Sequence, residues 1–599
     1  MRQIIYIKVF ALLLLAGCFA ACNEDKGNYT YTDINKVDSI SNINDSYFIE
    51  MGATLLISPK VVTSQDNADD FDYTWYYNNG DKGWVEFAKG KELSQEISDP
   101  FGQSDKTYNC AFEALNKQTG IAYRKLFAIQ VSGVFTRGYV ALCEKQEGID
   151  LDMVILKTND TFQPYHNIFA TMDQTLVPPY KGVNPYDILI FKDPTGPNPV
   201  STDGSNRSIY LLTDQYTTRL KFVDFTWDES YDISNAVERN STLYNSTIAQ
   251  GKKIVAQKMN VGWIATGQGQ YPHIYFYMQN GAGGGDWWLY NTFPFWQSFS
   301  EPMNGIRSTD DDSGNADGIQ TGTRYEAAPF LAMSNISNKN GTTFYNTEDG
   351  KFYYQTISSS SFSTKSLFYT EKVNDTSTDG VFNFSDGGQG IVYMGTRQLN
   401  GYASTSIAIL KQTDGSFKYI EYLADTNTGN LVRSSNKKRS SILPANCGID
   451  QAKFVVAPPT GTTDAPGLYI YYVTPDNKIH YADISSGTAV LGELSIPDLT
   501  ADGYNEITLF KAMLPSTSGL HNSFSKTLAI ATYNSSLGKD TGGKLSIYSI
   551  PKETQPDLEL AMYPTQDDLD DNPGKYGVDK PQPMSWTGLG QIVGLDYKN

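Results

Sequence analysis

Hairpin-like segments recur along most of this chain at a nearly constant interval. Each segment has a run of alternating apolar residues, a short turn and a second such run, which is the pattern of two paired strands. Successive turns are 62 to 70 residues apart. A repeat of one supersecondary unit at fixed spacing is typical of architectures whose neighbouring units bury one another's apolar faces. The seven turns fall at or near Gly148, Thr218, Gly285, Gly350, Gly415, Asn477 and Gly543.

This interval predicts one propeller blade per repeat. Four short antiparallel strands and their turns need roughly 40 to 50 residues, and the remainder can form loops. Seven repeats therefore predict an all-β, seven-bladed β-propeller over residues 133–599. The run from Trp586 to Tyr597 reads as a closing strand, expected to pair with strands between Tyr139 and Lys157, because an unpaired blade would expose a long sheet edge. The alternative, two or three stacked β-sandwiches, does not explain the even spacing.

A smaller β-sandwich is predicted ahead of the repeats, over residues 41–132. Three runs there alternate as strands do, Phe71–Tyr77, Tyr108–Ala114 and Tyr123–Val131. Trp75 lies on the first of these strands and is the natural centre of a sandwich core. A chain of 599 residues also exceeds what one compact domain usually holds, which agrees with two units.

The first 21 residues have the order of a secretory signal peptide, in which basic residues precede an apolar stretch. The stretch is too short to span a bilayer, which takes about 20 apolar residues. Cys18 and Cys22 each follow a small residue, as lipoprotein processing requires. Residues 23–26, Asn-Glu-Asp-Lys, resemble the surface-export signal behind the acylated cysteine of Bacteroides-type lipoproteins, which favours Cys22 over Cys18. Residues 22–40 are then a lipidated tether; an ordinary secreted protein is the alternative.

Four segments near the N-terminus, residues 25–35, 73–75, 117–122 and 137–142, carry a family resemblance. They resemble the PKD-like family of Bacteroidota surface lipoproteins. Such proteins are typically encoded beside SusC/SusD-type outer-membrane nutrient importers. The resemblance implies an Ig-like spacer, a lipid anchor in the outer membrane facing the cell exterior, and an importer complex as partner. It carries no catalytic residues.

Charge and cysteine content exclude some functions. The formal net charge is −19, which argues against nucleic acid as a partner, since phosphate binding depends on clustered Lys and Arg. Besides the two candidate lipidation sites, only Cys110, Cys143 and Cys447 remain. An odd, widely spaced set predicts neither a disulfide framework nor a metal site.

Catalytic motifs are not found in the sequence. The four histidines form no zinc-binding pair, and no Gly-x-Ser-x-Gly elbow occurs. Residues 538–545 imitate a phosphate-binding loop, but Leu545 replaces the Ser or Thr that would hold magnesium. A carboxylate pair for glycan cleavage would be formed in space, and no two of the 66 acidic residues can be singled out. No cofactor is predicted, apart from calcium in an acidic loop.

That acidic loop, residues 310–318, offers Asp310, Asp312 and Asp317 as candidate calcium ligands. Oxygen-bearing side chains stand at alternate positions, but the glutamate that completes an EF-hand loop is missing. Residues 567–571 are similar and less regular. Solvated loop charge is the alternative for both segments.

The most aromatic segment, residues 286–299, is the candidate ligand site. Trp287 and Trp288 must lie on opposite faces of their strand. One of them, with Tyr290 and Trp296, is expected to form a flat platform for a sugar ring or a peptide side chain. Blade-core packing is the alternative for these residues.

Together these features predict a cell-surface lipoprotein that captures or presents an extracellular oligosaccharide or peptide for a SusC/SusD-type importer. Because no catalytic motif is found in the sequence, the predicted role is non-catalytic. The alternatives are a propeller glycan hydrolase or lyase, and a structural docking subunit without its own ligand. A catalytic acid pair at the propeller mouth would distinguish the enzyme from the binding protein.

The mature chain is expected to begin at acylated Cys22. Mass analysis of the N-terminal peptide should find the acyl chains on that residue, and protease added to whole cells should degrade the protein. Acylation of Cys18 would contradict the choice of cysteine, and resistance to protease would contradict exposure at the cell surface.

Overall fold

The computed structural model divides the chain into two compact units, residues 1–131 (unit 1) and 132–599 (unit 2). No helix among its described residues is long and apolar enough to cross a membrane. The described residues are 34–598 except 51–52, 66, 81, 98–100, 102–105, 133–134, 136, 158–160, 193–206, 240, 267–268, 281–283, 292–301, 306–323, 337–338, 356–369, 374–381, 385–386, 400–403, 424–438, 461–467, 497–498, 514–526, 551–554 and 572–577.

Unit 1 is built from one five-stranded sheet and two short ladders. The sheet has the strand order β2-β9-β8-β5-β6, and the ladders pair β1 with β4 and β3 with β7. The strands are β1 (Val37–Ser41), β2 (Ser46–Glu50), β3 (Thr54–Ile57), β4 (Lys60–Thr63), β5 (Phe71–Asn78), β6 (Trp84–Lys89), β7 (Leu93–Glu96), β8 (Lys106–Asn116) and β9 (Ala122–Ser132).

Trp75 lies at the centre of unit 1, as its sequence predicts. Its side chain is 0% exposed. The ring packs on Phe112 and Phe127, with centroids 4.6 and 5.7 Å away. Its indole N–H donates to the carbonyl of Gly90 at 2.9 Å, so the buried polar atom is satisfied. The three predicted strands are confirmed as β5, β8 and β9, adjacent in one sheet.

Unit 2 contains seven successive antiparallel meanders among its described residues. Single residue pairs join meanders three to five into one larger sheet. The first three meanders are β10 (Gly138–Lys145), β11 (Gly148–Leu156), β12 (Phe162–Tyr165); β13 (Pro185–Lys192), β14 (Arg207–Thr213), β15 (Thr217–Leu220); and β16 (Lys258–Thr266), β17 (Gly269–Gln279), β18 (Gly285–Asn291).

The other four are β19 (Ala327–Ile336), β20 (Lys339–Asn346), β21 (Lys351–Gln355), β22 (Thr370–Lys372); β23 (Ile391–Gln398), β24 (Ser404–Lys411), β25 (Phe417–Tyr422), β26 (Arg439–Leu443); β27 (Phe454–Val456), β28 (Tyr469–Val473), β29 (Ile479–Asp483), β30 (Val490–Leu494); and β31 (Glu506–Ala512), β32 (Thr527–Tyr533), β33 (Gly543–Ser549), β34 (Glu559–Leu560). After them come β35 (Met562–Tyr563), β36 (Gln582–Pro583), β37 (Ser585–Leu589) and β38 (Gln591–Lys598). The short α-helices are α1 (Ile168–Thr171), α2 (Thr242–Ser246) and α3 (Gln566–Asp571).

All seven predicted hairpins are present, as β10–β11, β14–β15, β17–β18, β20–β21, β24–β25, β28–β29 and β32–β33. Four turn positions differ by a few residues: Thr218 already lies in β15, and Gly148, Gly285 and Gly543 begin the returning strands. Gly415 and Asn477 have φ of 84° and 63°, a region open to Gly and tolerated by Asn. The local turn chemistry therefore agrees with the repeat.

The C-terminal strand β38 pairs with β10, at the start of unit 2, with Tyr597 opposite Tyr139. This confirms the predicted pairing partner, but not a single closing strand. Trp586 belongs to the separate strand β37, which pairs with β33 of meander seven. The chain turns between the two strands at Gly588, where φ is 82°, and at Gly590, where a Cβ atom would lie 2.7 Å from that of Cys143.

Apolar side chains of unit 2 are buried on both faces of the sheets. Each of seven clusters among the described residues contains side chains from two meanders, in the order one–two through six–seven, and then seven–one. We call the first strands of meanders two to seven, together with β38, the leading strands. Strand β38 lies against β13 and β31, β16 lies against β13 and β19, and β19 lies against β23.

A buried ion pair holds the C-terminal segment on meander one. Asp152, 0% exposed, accepts hydrogen bonds from Lys145 Nζ at 3.0 Å and from the Gly590 N–H at 2.7 Å. Burial alone would raise the pKa of Asp152, but His166 and the Lys145 ammonium outweigh it and lower the pKa to about 2. The carboxylate therefore stays ionised and links β10, β11 and the residue before β38.

The substitution Asp152→Asn is expected to lower the free energy of unfolding of unit 2 by about 3 kcal/mol at pH 7, because Lys145 is left buried and unpaired. The folded-state pKa lies below the ordinary value of about 4. The stabilisation is thus present above about pH 4 and lost as the pH falls towards 2, so the difference from wild type should shrink over that range.

Unfolding measured across this pH range tests the prediction. Glu147→Gln is the matched control, because Glu147 forms an exposed pair with Lys181 at 3.2 Å and such pairs contribute little. Equal stability of the Asp152 and Glu147 variants at pH 7 would contradict a stabilising role for the buried pair.

Candidate functional site

The aromatic platform predicted from the sequence does not include Trp287 and Trp288, which are 0% and 3% exposed. Trp287 packs on Tyr277 and belongs to the core between meanders three and four. Trp288 stacks on Phe276 in the core between meanders two and three. Neither indole can stack on a ligand from solvent, because a neighbouring meander covers each face of β18. Tyr290 lies on the same strand.

Several other predicted site residues lie outside the described residues. They are Cys18, Cys22, Trp296, Asp310, Asp312 and Asp317. Lipidation and calcium binding at these positions remain predictions. Among the residues that are described, no group of three or more His, Cys, Asp or Glu side chains could hold a metal ion.

The three remaining cysteines are buried free thiols: Cys110, Cys143 and Cys447. Burial raises the pKa of Cys110 to about 12, and it also raises the pKa of the other two. A thiol reacts as its thiolate, so these cysteines are core residues rather than nucleophiles.

A pocket of about 340 Å³ opens where strands of meanders one and seven meet. This volume is within the usual range of small-molecule sites. The segments that form it are β12, β35, β36 and β37 with the residues beside them. The lining residues are Thr161, Phe162, Tyr563, Val578, Gln582, Pro583, Met584, Ser585 and Trp586. We call it the aromatic pocket.

Three aromatic rings form one wall of this pocket. The Phe162 centroid lies 5.2 Å from that of Trp586 and 5.3 Å from that of Tyr563, with interplanar angles of 61° and 64°. This is the edge-to-face arrangement that aromatic quadrupoles favour. Phe162 and Trp586 are half-buried, and the buried Tyr139 ring supports Trp586 from behind at 5.9 Å. The wall is therefore held by packing, with part of two rings left accessible.

The pocket depends on contacts that are remote in sequence. Phe162 is on β12, where it pairs with Leu156 of β11, and Trp586 is on β37, opposite Leu545 of β33. The sequence predicts that Trp586 lies in the closing strand, but it gives no sign of Phe162 or Tyr563. No local pattern marks these residues, because each is an ordinary strand position until the C-terminal segment returns to meander one.

The lining of the aromatic pocket suits binding rather than acid–base chemistry. Among the described residues, its lining includes hydroxyl and amide groups but no Asp, Glu, His, Cys or Lys. The Ser585 hydroxyl shares a hydrogen bond of 2.8 Å with Ser546. Aromatic rings next to hydroxyl and amide groups can hold a ligand that has both an apolar face and polar edges.

A buried cluster of polar residues around Arg397 has a structural role. Arg397 is 0% exposed and donates to the carbonyl of Pro458 at 3.0 Å and to the Tyr419 hydroxyl at 3.1 Å. Burial opposes ionisation of Glu421, but Arg397 and Arg439 outweigh it and lower its pKa. These charges are paired and closed off from solvent, so they tie meander five to the segment after β27.

Comparison with known families identifies the first quarter of the chain. Residues 22–174 match the PKD-like family. This match assigns a PKD-like domain to these residues. The matched region begins at the candidate lipidation site and continues past unit 1 through β10, β11, β12 and α1. The family resemblance seen in the sequence is thus confirmed for this region, and the chain is mostly β with an N-terminal PKD-like domain.

Similarity to solved structures is distant. A quinonprotein alcohol dehydrogenase-like protein from Bacteroides thetaiotaomicron matches with 10% identity and a TM-score of 0.32, over 94% of this chain and 99% of that protein. The WD40 domain of SCAP from fission yeast matches with 9% identity and a TM-score of 0.23, over 73% and 81%. No curated protein matches the chain by sequence.

If Trp287 is a core residue, Trp287→Ala should lower the free energy of unfolding by about 3 to 5 kcal/mol, because it leaves a large cavity. Trp84→Ala, at a half-buried tryptophan of unit 1, is the control for unit 2. Chemical denaturation of both variants measures the effect. An unchanged stability of unit 2 in the Trp287 variant would contradict the core assignment.

Proposed function

We propose that residues 133–599 form a closed seven-bladed β-propeller. Three observations support it: the seven meanders at even spacing, the apolar clusters that follow one another and return to meander one, and the pairing of β38 with β10. In such a ring β38 is the leading strand of the first blade. Closure protects the leading strands from edge-to-edge association.

Removal of residues 586–599 should open this ring. The edge of β10 would lose its partner, and Asp152 would lose the Gly590 N–H, so we expect a lower melting temperature and aggregation. Light scattering and thermal unfolding measure both effects. A truncated protein that stays monomeric and melts like the full chain would contradict closure by β38.

We infer that the chain is a surface lipoprotein which captures or presents an extracellular oligosaccharide or peptide, without catalysing a reaction on it. The observation that carries this proposal is the aromatic pocket, with half-buried rings of Phe162 and Trp586 beside hydroxyl and amide groups. Such a pocket binds an apolar ring face through stacking and orients it through hydrogen bonds. Its described lining has no carboxylate pair for glycan cleavage.

The N-terminal region supports the proposed location and partner of the protein. The PKD-like match starts at Cys22, directly after the signal-like segment. In our proposal acyl groups on Cys22 hold the protein in the outer membrane, facing the exterior. The resemblance to lipoproteins encoded beside SusC/SusD-type importers makes such an importer the proposed recipient of the captured nutrient.

A binding screen tests the capture function. The mature chain is titrated with a panel of neutral and acidic oligosaccharides and of short peptides, and Trp586→Ala is expected to weaken binding of the retained compound by about tenfold. Trp586→Phe should retain most of the wild-type affinity, because it keeps an aromatic face. Calorimetry gives the affinities, and thermal unfolding shows whether each variant is folded.

Two results would contradict the proposal. If no compound in the panel binds the wild-type chain, capture of these nutrient classes is wrong. If a compound binds and folded Trp586→Ala and Trp84→Ala both retain its full affinity, the aromatic pocket is not the site.

A further inference from the structure

Six leading strands lie side by side, and each carries one charged or aromatic residue of a continuous band. In the order β31, β38, β13, β16, β19 and β23, the band consists of Lys511, Asp596, Asp187, Lys258, Phe330 and Tyr393. Two neighbouring aspartates have a lysine on either side, and two aromatic rings follow. We call this set the leading-strand band. None of its members was singled out in the sequence, because each belongs to a different repeat.

Contacts show that the band is continuous. Lys258 Nζ lies 4.4 Å from the Phe330 ring centroid, and that ring lies 5.9 Å from the ring of Tyr393. On the other side, Asp596 accepts a hydrogen bond of 2.8 Å from the Ile190 N–H, so β38 and β13 are joined at this level. Lys511 Nζ donates to the Leu595 carbonyl at 2.8 Å, which places its ammonium beside Asp596.

The charged groups of the band are surrounded by protein but remain partly accessible to solvent. Asp187, Lys511 and Asp596 are half-buried, and Lys258 is exposed. Burial raises the pKa of Asp187 and Asp596 and lowers that of Lys258, so the surrounding protein, rather than bulk water, dominates their environment. Lys258 is attracted electrostatically to Asp187, and Lys511 to Asp187 and Asp596. The four charges of the band are therefore coupled to one another and partly accessible to solvent.

The charged groups of the band use only part of their hydrogen-bonding capacity within the described residues. Lys258 has three ammonium protons, and its described contact is the face of Phe330. Lys511 uses one donor on Leu595. The carboxylate of Asp187 accepts from the Ile188 N–H through one oxygen and keeps its second oxygen for another donor. The band thus offers acceptors at its two central charged positions and donors at the two outer ones.

Two glycines allow close contacts within the band. At Gly594, next to Asp187, a Cβ atom would lie 2.8 Å from the Ile188 nitrogen, so glycine lets β38 approach β13 closely. At Gly395 a Cβ atom would lie 2.4 Å from the Tyr393 hydroxyl oxygen, so only glycine lets that ring lie along its own strand. The rings of Phe330 and Tyr393 are half-buried and present apolar surface beside the charged groups.

We propose that the leading-strand band is a second ligand site of this protein, and that it binds a neutral polyhydroxylated ligand, a sugar. Each sugar hydroxyl both donates and accepts, which matches two neighbouring carboxylates with an ammonium on either side. The aromatic side provides a surface for the C–H face of a sugar ring. The site stands on the contacts of the band and does not require the aromatic pocket.

Charge balance favours a neutral ligand over an ion. Two carboxylates and two ammoniums already compensate one another, and an added net charge would have to be desolvated without a free counter-ion. A sugar adds hydrogen bonds to charged partners and no charge. A cation or an anion would leave the band with an excess of charge.

The first experiment measures binding of neutral sugars, from monosaccharides to tetrasaccharides of glucose, galactose, mannose and xylose, by calorimetry. Lys258→Met keeps the length of the side chain and removes its donors, and should weaken sugar binding by about tenfold to a hundredfold. Tyr393→Ala should have a similar effect through loss of the ring. Lys453→Met is the matched control, since Lys453 stands just before the leading strand β27 and donates to Asn477.

The second experiment needs no variant. Acetylation of lysines in the wild-type chain, read by peptide mass spectrometry, should be slowed at Lys258 by a bound sugar and unchanged at Lys453. Protection of Lys258 together with the loss of affinity in Lys258→Met supports the proposal. The proposal is overturned if no sugar of the panel protects Lys258, or if peptides or inorganic phosphate protect it instead.

The variants also separate the two sites. Sugar binding that is lost in Trp586→Ala and kept in folded Lys258→Met lies in the aromatic pocket alone, which would overturn the second site and leave the proposed capture function intact. Binding that is lost in Lys258→Met and kept in Trp586→Ala supports the leading-strand band independently.

Discussion

The pairing of β38 with β10 is the contact on which the rest of unit 2 depends. It joins the last described strand of the chain to the first strand of the repeats, and the Asp152–Gly590 hydrogen bond and the Lys145 ion pair hold this joint. Once the joint is made, Trp586 lies beside Phe162, and Asp596 lies beside the strand that carries Asp187. Both candidate sites are therefore consequences of one long-range contact.

Burial on both faces of each sheet explains why neither Trp287 nor Trp288 belongs to the predicted aromatic platform, which was expected to include one of them. On an isolated antiparallel sheet, alternation would leave one of Trp287 and Trp288 in water. In unit 2 each meander packs between two neighbours, so the two indoles enter two different cores. Surface available to a ligand is found instead at the outer strands β12 and β37, and along the leading strands.

The two candidate sites differ in the physics of recognition. The aromatic pocket offers rings and neutral polar groups, so its selectivity comes from shape and stacking. The leading-strand band offers four balanced charges beside two rings, although the whole chain has a formal net charge of −19. A local balance of charge in an acidic protein is what allows hydrogen bonds to a neutral ligand without attracting a bulk anion or cation.

Local features of the fold could be predicted from the sequence. The seven hairpins, the core position of Trp75 and the PKD-like character of the N-terminal region all follow from alternation, turn residues and short motifs, which act between residues close in the chain. The partner of the C-terminal strand was also predictable, because an all-β repeat leaves one edge to be covered. Only the tertiary structure decided that residues 586–597 are two strands, that Trp287 and Trp288 are core, and which side chains line each site. The reason is physical: a hairpin forms from neighbouring residues, whereas the aromatic pocket and the leading-strand band bring together residues of separate repeats, whose positions depend on how every meander between them packs.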